Sequence, residues 1–487
     1  MAQFKKFDAD TVLTSRDVPA LYQSIQGLAK EFAVLGQIKT AKSLISLLLS
    51  QYSSDWQLRQ IKSLKFAFAE VDEWPDQIPQ KERTEEALDS VATDITPDFG
   101  NESDAEEDDP AELGVLLETA KDSDASSGGA AMERSNALAT ALAMAIRLAS
   151  RHTSSIEEIE ADPKVQKALG YIAMRMHGNQ AINRLTEHRT NWRLLSTGAL
   201  ARKIPVDMTK VEAFGQEVIA TFTERLKNGR HAHPREKKSI RELLDELNRN
   251  TRANGTNEYE AMGEEVPESL FVLPPATDEQ ISALERRLDI VLPDDYKEFF
   301  KISNGFGGTW NGYYLEPPLH GVDDVEWAEF YGDILPIELH ESPTGNLDLD
   351  LPGGREWPTY GRPIELGSED VLQAQFVPPH DTRRAIEAYK ECLESPETPD
   401  AVKQHTRKLI ASKYGSWEAF EKLEWVAMDQ HDTESVAYGT FTQFLQERVQ
   451  KSEMGSWQGQ GERDCGSFAY SCMADHPSAN RKRRFGE

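Results

Sequence analysis

Apolar residues recur at helical spacing along two stretches of the chain before residue 250. In the first stretch the repeat is formed by Leu21, Ile25, Leu28 and Phe32. Positions three or four residues apart lie on one face of a helix, so this pattern predicts buried helix faces. We therefore predict a small helical bundle over residues 1–83, a helical region over residues 132–250, and a polar linker over residues 251–270.

The pattern changes after residue 271, where two short helices precede alternating segments typical of strands. Thr277 and Gln280 have the spacing of a capping box, and Asn304-Gly305 can take the left-handed backbone that ends a helix. Strands are predicted over residues 334–339, 362–367, 371–377 and 424–429, with the last of these as the final strand. A helical insertion is predicted over residues 382–420, before that final strand.

The uneven distribution of charge along the chain distinguishes further segments. The whole protein carries a formal charge of −29, and residues 84–124 carry −14 of it. Dense like charge with few aromatic residues buries too little surface to offset chain entropy, so we predict a disordered acidic linker over residues 84–131. Residues 163–210 carry +7, and this basic block is expected to associate with the acidic linker. Residues 451–487 are predicted to be a disordered tail.

The composition excludes several classes of protein. A charge of −29 argues against coating nucleic acid or anionic membrane with the main surface. No uncharged apolar run reaches 18 residues, and the N-terminus lacks the apolar core of a signal peptide. Three cysteines in 487 residues indicate a reducing compartment. We expect a cytoplasmic protein, with the basic run 481–484 as a candidate nuclear import signal.

The segment that opens the C-terminal half resembles the SUKH superfamily, in particular the fungal Smi/Knr-type cell-wall assembly regulators. The matching residues are Leu292, Pro293, Tyr296, Phe299, Asn304 and Gly305, and the closing helix matches through Phe441, Phe444 and Leu445. The resemblance covers residues 271–450 and implies an α+β fold, a mostly antiparallel sheet with packed helices. The α+β domain would follow the all-α N-terminal regions. The resemblance also implies a protein-binding module and not an enzyme.

Chemistry-bearing motifs are weak throughout the sequence. His231 and His233 have no neighbouring cysteine or carboxylate cluster, and Cys465 and Cys472 stand in a polar tail without a second pair. The Gly-rich run 303–308 lacks the lysine of a phosphate-binding loop and follows a helix instead of a strand. We therefore predict no catalytic residues, no metal site and no cofactor.

An acidic run with aromatic neighbours is the candidate partner-binding surface. It comprises Asp323, Asp324, Glu326, Trp327 and Glu329. Exposed carboxylates beside an aromatic ring can dock a basic partner. The alternative is a solvated charged loop with Trp327 in the core. Ser103, which is followed directly by acidic residues, is a candidate phosphorylation site for an acid-directed kinase.

Two function classes follow. The first is a non-enzymatic intracellular scaffold or regulator. The resemblance implies that in a fungus it would link wall-stress signalling, growth polarity and wall synthesis. The second is an immunity-type inhibitor, because bacterial members of the superfamily are implied to neutralise toxin proteins. In that case the −19 charge of residues 271–450 would cover a basic toxin nuclease. In both classes the partners are proteins.

Overall fold

The structure is a computed structural model of the chain. It describes residues 7–51, 61–95, 110–121, 128–175, 179–204, 206–312, 314–328, 351–359, 361–369, 372–431 and 434–453. These residues form two compact units. The helical unit contains residues 7–13 and 20–229, and the C-terminal unit contains residues 14–19 and the described residues from 230 onwards.

The helical unit is built from amphipathic helices around one core. Its helices are α1 (Ala9–Thr14), α2 (Val18–Val34), α3 (Ile38–Gln51), α4 (Lys62–Glu70), α5 (Glu85–Ile95), α6 (Pro110–Lys121), α7 (Gly128–Ser150), α8 (Ile156–Ala161), α9 (Pro163–Arg175), α10 (Asn179–Glu187), α11 (Trp192–Leu195) and α12 (Met208–Asn228). Short 3₁₀ helices span Gln80–Glu82 and Arg189–Asn191. The described part of the chain contains no helix long and apolar enough to cross a membrane.

This core differs from the predicted domain boundaries. Phe32 of α2, Leu142 of α7 and Phe222 of α12 belong to one continuous hydrophobic cluster. The predicted bundle 1–83 and the part of region 132–250 before residue 230 therefore share their interior. The apolar faces of helices from both predicted regions are buried against one another.

The predicted disordered linker 84–131 also differs from the structure, because helices α5 and α6 lie within it. Leu88 in α5, and Leu113 and Leu117 in α6, are at most 4% exposed and join the common core. Burial of these apolar residues stabilises helices in a segment whose overall composition favours disorder. Residues 96–109, which include Ser103, and residues 122–127 lie outside the described part.

Ion pairs connect these acidic helices to the basic block. The guanidinium of Arg189 lies 2.5 Å from Glu85 and 2.9 Å from Asp89 in α5. Lys167 lies 3.8 Å from Glu118 in α6. The contacts join the oppositely charged segments that the sequence predicts will associate.

The C-terminal unit begins before the predicted SUKH-like domain. Its first helices are α13 (Ile240–Asn254) and α14 (Thr256–Met262), preceded by the 3₁₀ helix Pro234–Lys237. Leu243, Leu244 and Leu247 of α13 are buried in the core of this unit. The predicted polar linker 251–270 is therefore largely structured. Its polar composition reflects exposed positions around buried residues such as Tyr259 and Leu270.

The rest of the unit is α+β, which confirms the predicted fold class. Its elements are α15 (Asp278–Leu288), α16 (Asp294–Ile302), β1 (Thr309–Trp310), β2 (Leu315–Glu316), β3 (Glu326–Trp327), β4 (Ile364–Glu369), β5 (Leu372–Val377), α17 (Pro379–Glu394), α18 (Asp400–Tyr414), α19 (Trp417–Glu421), β6 (Val426–His431), β7 (Glu434–Gly439) and α20 (Phe441–Ser452). A 3₁₀ helix spans Pro352–Gly354. Strands β3 to β7 form an antiparallel sheet in chain order, and β1 and β2 form a separate hairpin.

The final strand of the sheet is not the one predicted. The segment 424–429 contributes to β6, but β7 follows it and pairs with it through Met428 and Ala437. The helices α17, α18 and α19 lie between β5 and β6, in the part of the chain where the sequence predicts a helical insertion over residues 382–420. The predicted strand 334–339 and the tail beyond residue 453 lie outside the described residues.

Candidate functional site

The opening motif of the C-terminal unit builds an aromatic core. Tyr296 on α16 is fully buried, with its ring 4.5 Å from that of Phe300, 5.1 Å from that of Phe376 on β5 and 4.9 Å from that of Phe441 on α20. Burial raises the pKa of the Tyr296 phenol far above its ordinary value. These contacts pack α16 and α20 on one face of the sheet, so Tyr296 holds the fold and is not exposed to a ligand.

The other motif residues have similar structural roles. Leu292 is buried, Pro293 precedes the first turn of α16, and Phe299 lies in the same aromatic cluster. The closing motif is placed likewise: Phe441, Phe444 and Leu445 of α20 are fully buried. These residues identify the fold, and their main contacts are within the core of the unit.

Asn304 and Gly305 link this motif to the acidic run. Gly305 has a φ of +103°, and a Cβ there would lie 3.2 Å from the carbonyl oxygen of Leu319. A side chain at this position would therefore strain both the backbone and the neighbouring strand segment. Asn304 is 7% exposed, and its Oδ1 accepts a hydrogen bond from the backbone N–H of Val322 at 2.8 Å. The helix-ending dipeptide thus fixes the start of the acidic run.

We call residues 321–327 the acidic turn. Its backbone is bound by Arg287 of α15, whose guanidinium donates to the carbonyl oxygens of Val322, Asp323 and Val325 at 2.8, 3.0 and 2.6 Å. Hydrogen bonds from a cation to three carbonyls of one turn fix its conformation. Sequence reasoning missed Arg287, because nothing in the local pattern around it points to a partner some 35 residues away.

The turn presents carboxylates to solvent. Asp323, Asp324 and Glu326 are exposed, whereas Val325 between them is fully buried. Trp327 is half-buried at the edge of the core, and its Nε1–H donates to the carbonyl oxygen of Leu288 at 3.2 Å. The ring of Trp327 therefore packs on the core while its acidic neighbours face water. Partner binding by this surface stays a prediction. Glu329 lies outside the described residues.

Among the described strands, β3 is at one edge of the sheet, and it places this turn there. Glu326 pairs with Glu365 and Trp327 with Ile364 of β4. Arg362 reinforces the strand end by donating to the carbonyl oxygens of Ala328 and Trp327 at 2.8 and 3.1 Å. The acidic turn is consequently a rigid, exposed and negatively charged surface, a type that binds positively charged partners through complementary charge.

A second group of charged residues is buried and has a different role. Arg448 of α20 is 1% exposed, lies 3.2 Å from Asp429 and 4.0 Å from Glu316, and stacks 4.4 Å from the ring of Phe444. Tyr438 donates to Asp429 at 2.9 Å. The two carboxylates are 2% exposed, so a substrate has no access to them. The network ties α20 to β6 and to the β1–β2 hairpin.

The residues considered for other chemistry do not converge. Nδ1 of His233 accepts a hydrogen bond from the backbone N–H of Arg235 and so caps a 3₁₀ helix. Within the ranges described above, no group of three or more His, Cys, Asp or Glu side chains could hold a metal ion. Cys392 on α17 is buried, and Cys465 and Cys472 lie outside those ranges.

Comparison with protein families identifies one match. The sequence model of the SMI1 / KNR4 family (SUKH-1) matches residues 275–376. That segment begins three residues before α15 and runs through the aromatic helix α16 and the acidic turn to Phe376 in β5. The comparison with curated proteins gives no match, and neither does the comparison with solved structures.

Proposed function

The chain contains a SUKH domain of the SMI1/KNR4 type, and on that premise we propose that it is a non-enzymatic regulator that acts by binding other proteins. The observation that carries the proposal is the acidic turn. Three exposed carboxylates stand on a backbone fixed by Arg287 and Asn304. A preorganised charged surface needs little ordering when a partner binds, which lowers the entropic cost of association.

The chemistry of the partner follows from charge. The acidic turn belongs to a domain with a net charge of −19 over residues 271–450. Such a domain repels nucleic acid and anionic lipid, and it accelerates encounter with basic protein surfaces. We propose that the partner presents Lys or Arg side chains to Asp323, Asp324 and Glu326.

In a fungal cell, we assign the regulator a place between wall-stress signalling, growth polarity and wall synthesis. The support for this finer role is the resemblance of the opening and closing motifs to the fungal Smi/Knr-type regulators. The helical unit would then supply additional surface for assembly. Gene deletion followed by growth on wall-perturbing dyes tests this role, and normal growth would contradict it.

A second candidate function is an immunity-type inhibitor of a basic toxin nuclease. The net charge of the domain favours it, because an acidic surface can occupy the site at which a nuclease binds nucleic acid. The two functions differ in the partner. An inhibitor binds one nuclease and abolishes its activity. A regulator, used as bait in a pull-down, would instead recover signalling or wall-synthesis proteins and would not block an enzyme.

Charge reversal in the full chain tests the proposed surface. Asp323→Lys combined with Glu326→Lys should reduce recovery of the partner from native extract severalfold. The matched control is Glu298→Lys combined with Glu387→Lys, which makes the same charge change at exposed positions of the same unit. Equal recovery by the two variants would show that the acidic turn is not the binding surface.

A further inference from the structure

A groove opens on the C-terminal unit beside the SUKH motif. Its volume is about 700 Å³, within the range of ligand-binding clefts. One wall is the turn between α15 and α16, at residues 290–295, and the other is the segment after α19, at residues 422–425. Phe376 and Phe441, both fully buried, line it together with Trp425, which is 7% exposed. The groove thus has an aromatic base between two chain segments.

The family model matches one wall of the groove and not the other. The turn at residues 290–295 and Phe376 lie within the matched segment 275–376. Ala419 and residues 422–425 come after it, at the end of the helical insertion. The groove is therefore formed jointly by the SUKH motif and by a part of this chain outside the family match, which makes it a place where partner specificity can reside.

The rim of the groove exposes apolar side chains. Val291 is 73% exposed, more than any other large hydrophobic residue in the part of the chain that the structure describes. Leu423 on the opposite wall is half-buried. Exposed apolar residues next to an apolar cleft are typical of interaction sites, because covering them removes their surface from water.

Charged residues surround this apolar centre. Asp294 has a fully exposed side chain and Glu424 is exposed, while Asp295 is half-buried and caps α20 by accepting from Thr442 at 2.9 and 3.0 Å. Lys422 adds one positive charge to the lining. Lys297, whose side chain is 25% exposed, lies 3.0 Å from Asp294, and this partly exposed ion pair costs little to rearrange. The lining is thus net negative, on a domain that is itself strongly negative.

We propose that this groove binds a Lys/Arg-rich segment of a partner protein, which inserts one large apolar side chain between Val291 and Leu423 and places its cations at Asp294 and Glu424. The proposal rests on the proposed function and names a second contact for the same partner class. The acidic turn contacts the chain next to the groove, because Trp327 donates to the carbonyl oxygen of Leu288, two residues before Ile290 in the groove wall.

Peptide binding to the full chain tests the groove. The probe is a fluorescein-labelled peptide, Lys-Lys-Gly-Phe-Gly-Lys-Lys, compared with the same peptide carrying Ser in place of Phe. Fluorescence anisotropy should show about 10-fold tighter binding of the Phe peptide, the difference expected for burying one aromatic side chain in part. Val291→Ser should weaken the Phe peptide by about 10-fold and leave the Ser peptide unchanged.

Two matched controls locate the effect. Val272→Ser makes the same change at a position that is 58% exposed outside the groove, and it should bind the Phe peptide like the wild type. Glu424→Lys should lower the affinity for both peptides and reduce the salt dependence of binding. Glu387→Lys makes the same charge change outside the groove and should lower the affinity less. All four positions are exposed, so the variants should fold.

Several results would overturn the groove proposal. Equal affinity of the Val291→Ser and Val272→Ser variants would do so, as would equal affinity of the two peptides or no binding up to about 1 mM. A dimer of the free protein that dissociates in the Val291→Ser variant would assign the groove to self-association instead. These results leave the proposed function standing if charge reversal at the acidic turn still lowers partner recovery, so the two failures are distinguishable.

Discussion

The side-chain Oδ1 of Asn304 accepts a hydrogen bond from the backbone N–H of Val322 at 2.8 Å. A residue that marks the end of an aromatic helix in the sequence thereby fixes the first residues of the acidic turn. Arg287 binds the same turn through three backbone carbonyls. Two residues with structural roles thus determine the shape of the surface that we propose binds the partner.

Removing Arg287 should loosen the acidic turn without unfolding the unit. Arg287→Gln loses most of three hydrogen bonds to carbonyl oxygens, and we expect a cost of about 1–3 kcal/mol. Hydrogen exchange of the amides of residues 322–325 should become faster. Arg286→Gln is the matched control, because Arg286 is an exposed neighbour on the same helix. Unchanged exchange in Arg287→Gln would contradict the positioning role.

Two substitutions at Tyr296 should have opposite outcomes. Tyr296→Ala removes a fully buried ring and should cost about 3 kcal/mol or more in the free energy of unfolding. The Tyr296 hydroxyl is buried without a hydrogen-bond partner in the described structure. Tyr296→Phe removes an unsatisfied group and should be neutral or stabilising. Calorimetry of both full-length variants checks this, and an unchanged unfolding transition in Tyr296→Ala would rule out the assigned core.

The helices α17 to α19 should become less stable as the pH falls. His405 on α18 is 7% exposed, and burial lowers its pKa to about 4, with Lys408 adding to the effect. The unfolded chain, with a pKa near 6.5, then binds a proton that the folded chain does not bind. The stabilisation is complete above about pH 6.5 and is lost as the pH falls towards 4.

The size of this effect can be measured by denaturant unfolding at pH 7 and pH 5. Wild type should lose about 2 kcal/mol more than His405→Gln over that interval, because each pKa unit corresponds to about 1.4 kcal/mol. His380→Gln is the control, since the ring of His380 is 81% exposed. An identical pH dependence for wild type and His405→Gln would show that the ring is not buried in the neutral form.

Helix α5 should be held on the helical unit partly by charge. Arg189→Gln removes both ion pairs, to Glu85 and to Asp89. Exposed pairs of this kind contribute about 0–1 kcal/mol and weaken with salt. Hydrogen exchange in α5 should therefore quicken modestly at low salt and converge with wild type at high salt. A difference that persists at high salt would point to lost packing instead.

Local signals in the sequence predicted part of the fold well. Thr277 and Gln280 form the predicted capping box, with reciprocal hydrogen bonds of 3.2 and 2.9 Å. Spacing and helix caps suffice for such elements, because they depend on neighbouring residues. The α+β class and the SUKH resemblance are also confirmed. Both could be predicted because the motif around Tyr296 is compact in sequence.

What the sequence did not predict depends on distant contacts. Leu88 and Leu117 are buried by the rest of the helical unit, a fact that the acidic composition around them conceals. Strand β7 follows β6 after two residues outside the described ranges, and its role depends on pairing with Met428. Arg448 is buried only because Asp429 and Glu316 meet it from other elements. In the acidic turn, the composition indicated the carboxylates but did not indicate Arg287, which binds the backbone of the turn.

Site-specific photo-crosslinking from the acidic turn tests the central claim most directly. A photoreactive amino acid at Asp324 of the full chain, activated in native cells, should yield one dominant adduct with a basic protein. The same group at Glu387, exposed elsewhere on the C-terminal unit, should not yield that adduct. An adduct pattern that is the same from both positions, or an adduct from Glu387 alone, would contradict a partner-binding role for the acidic turn.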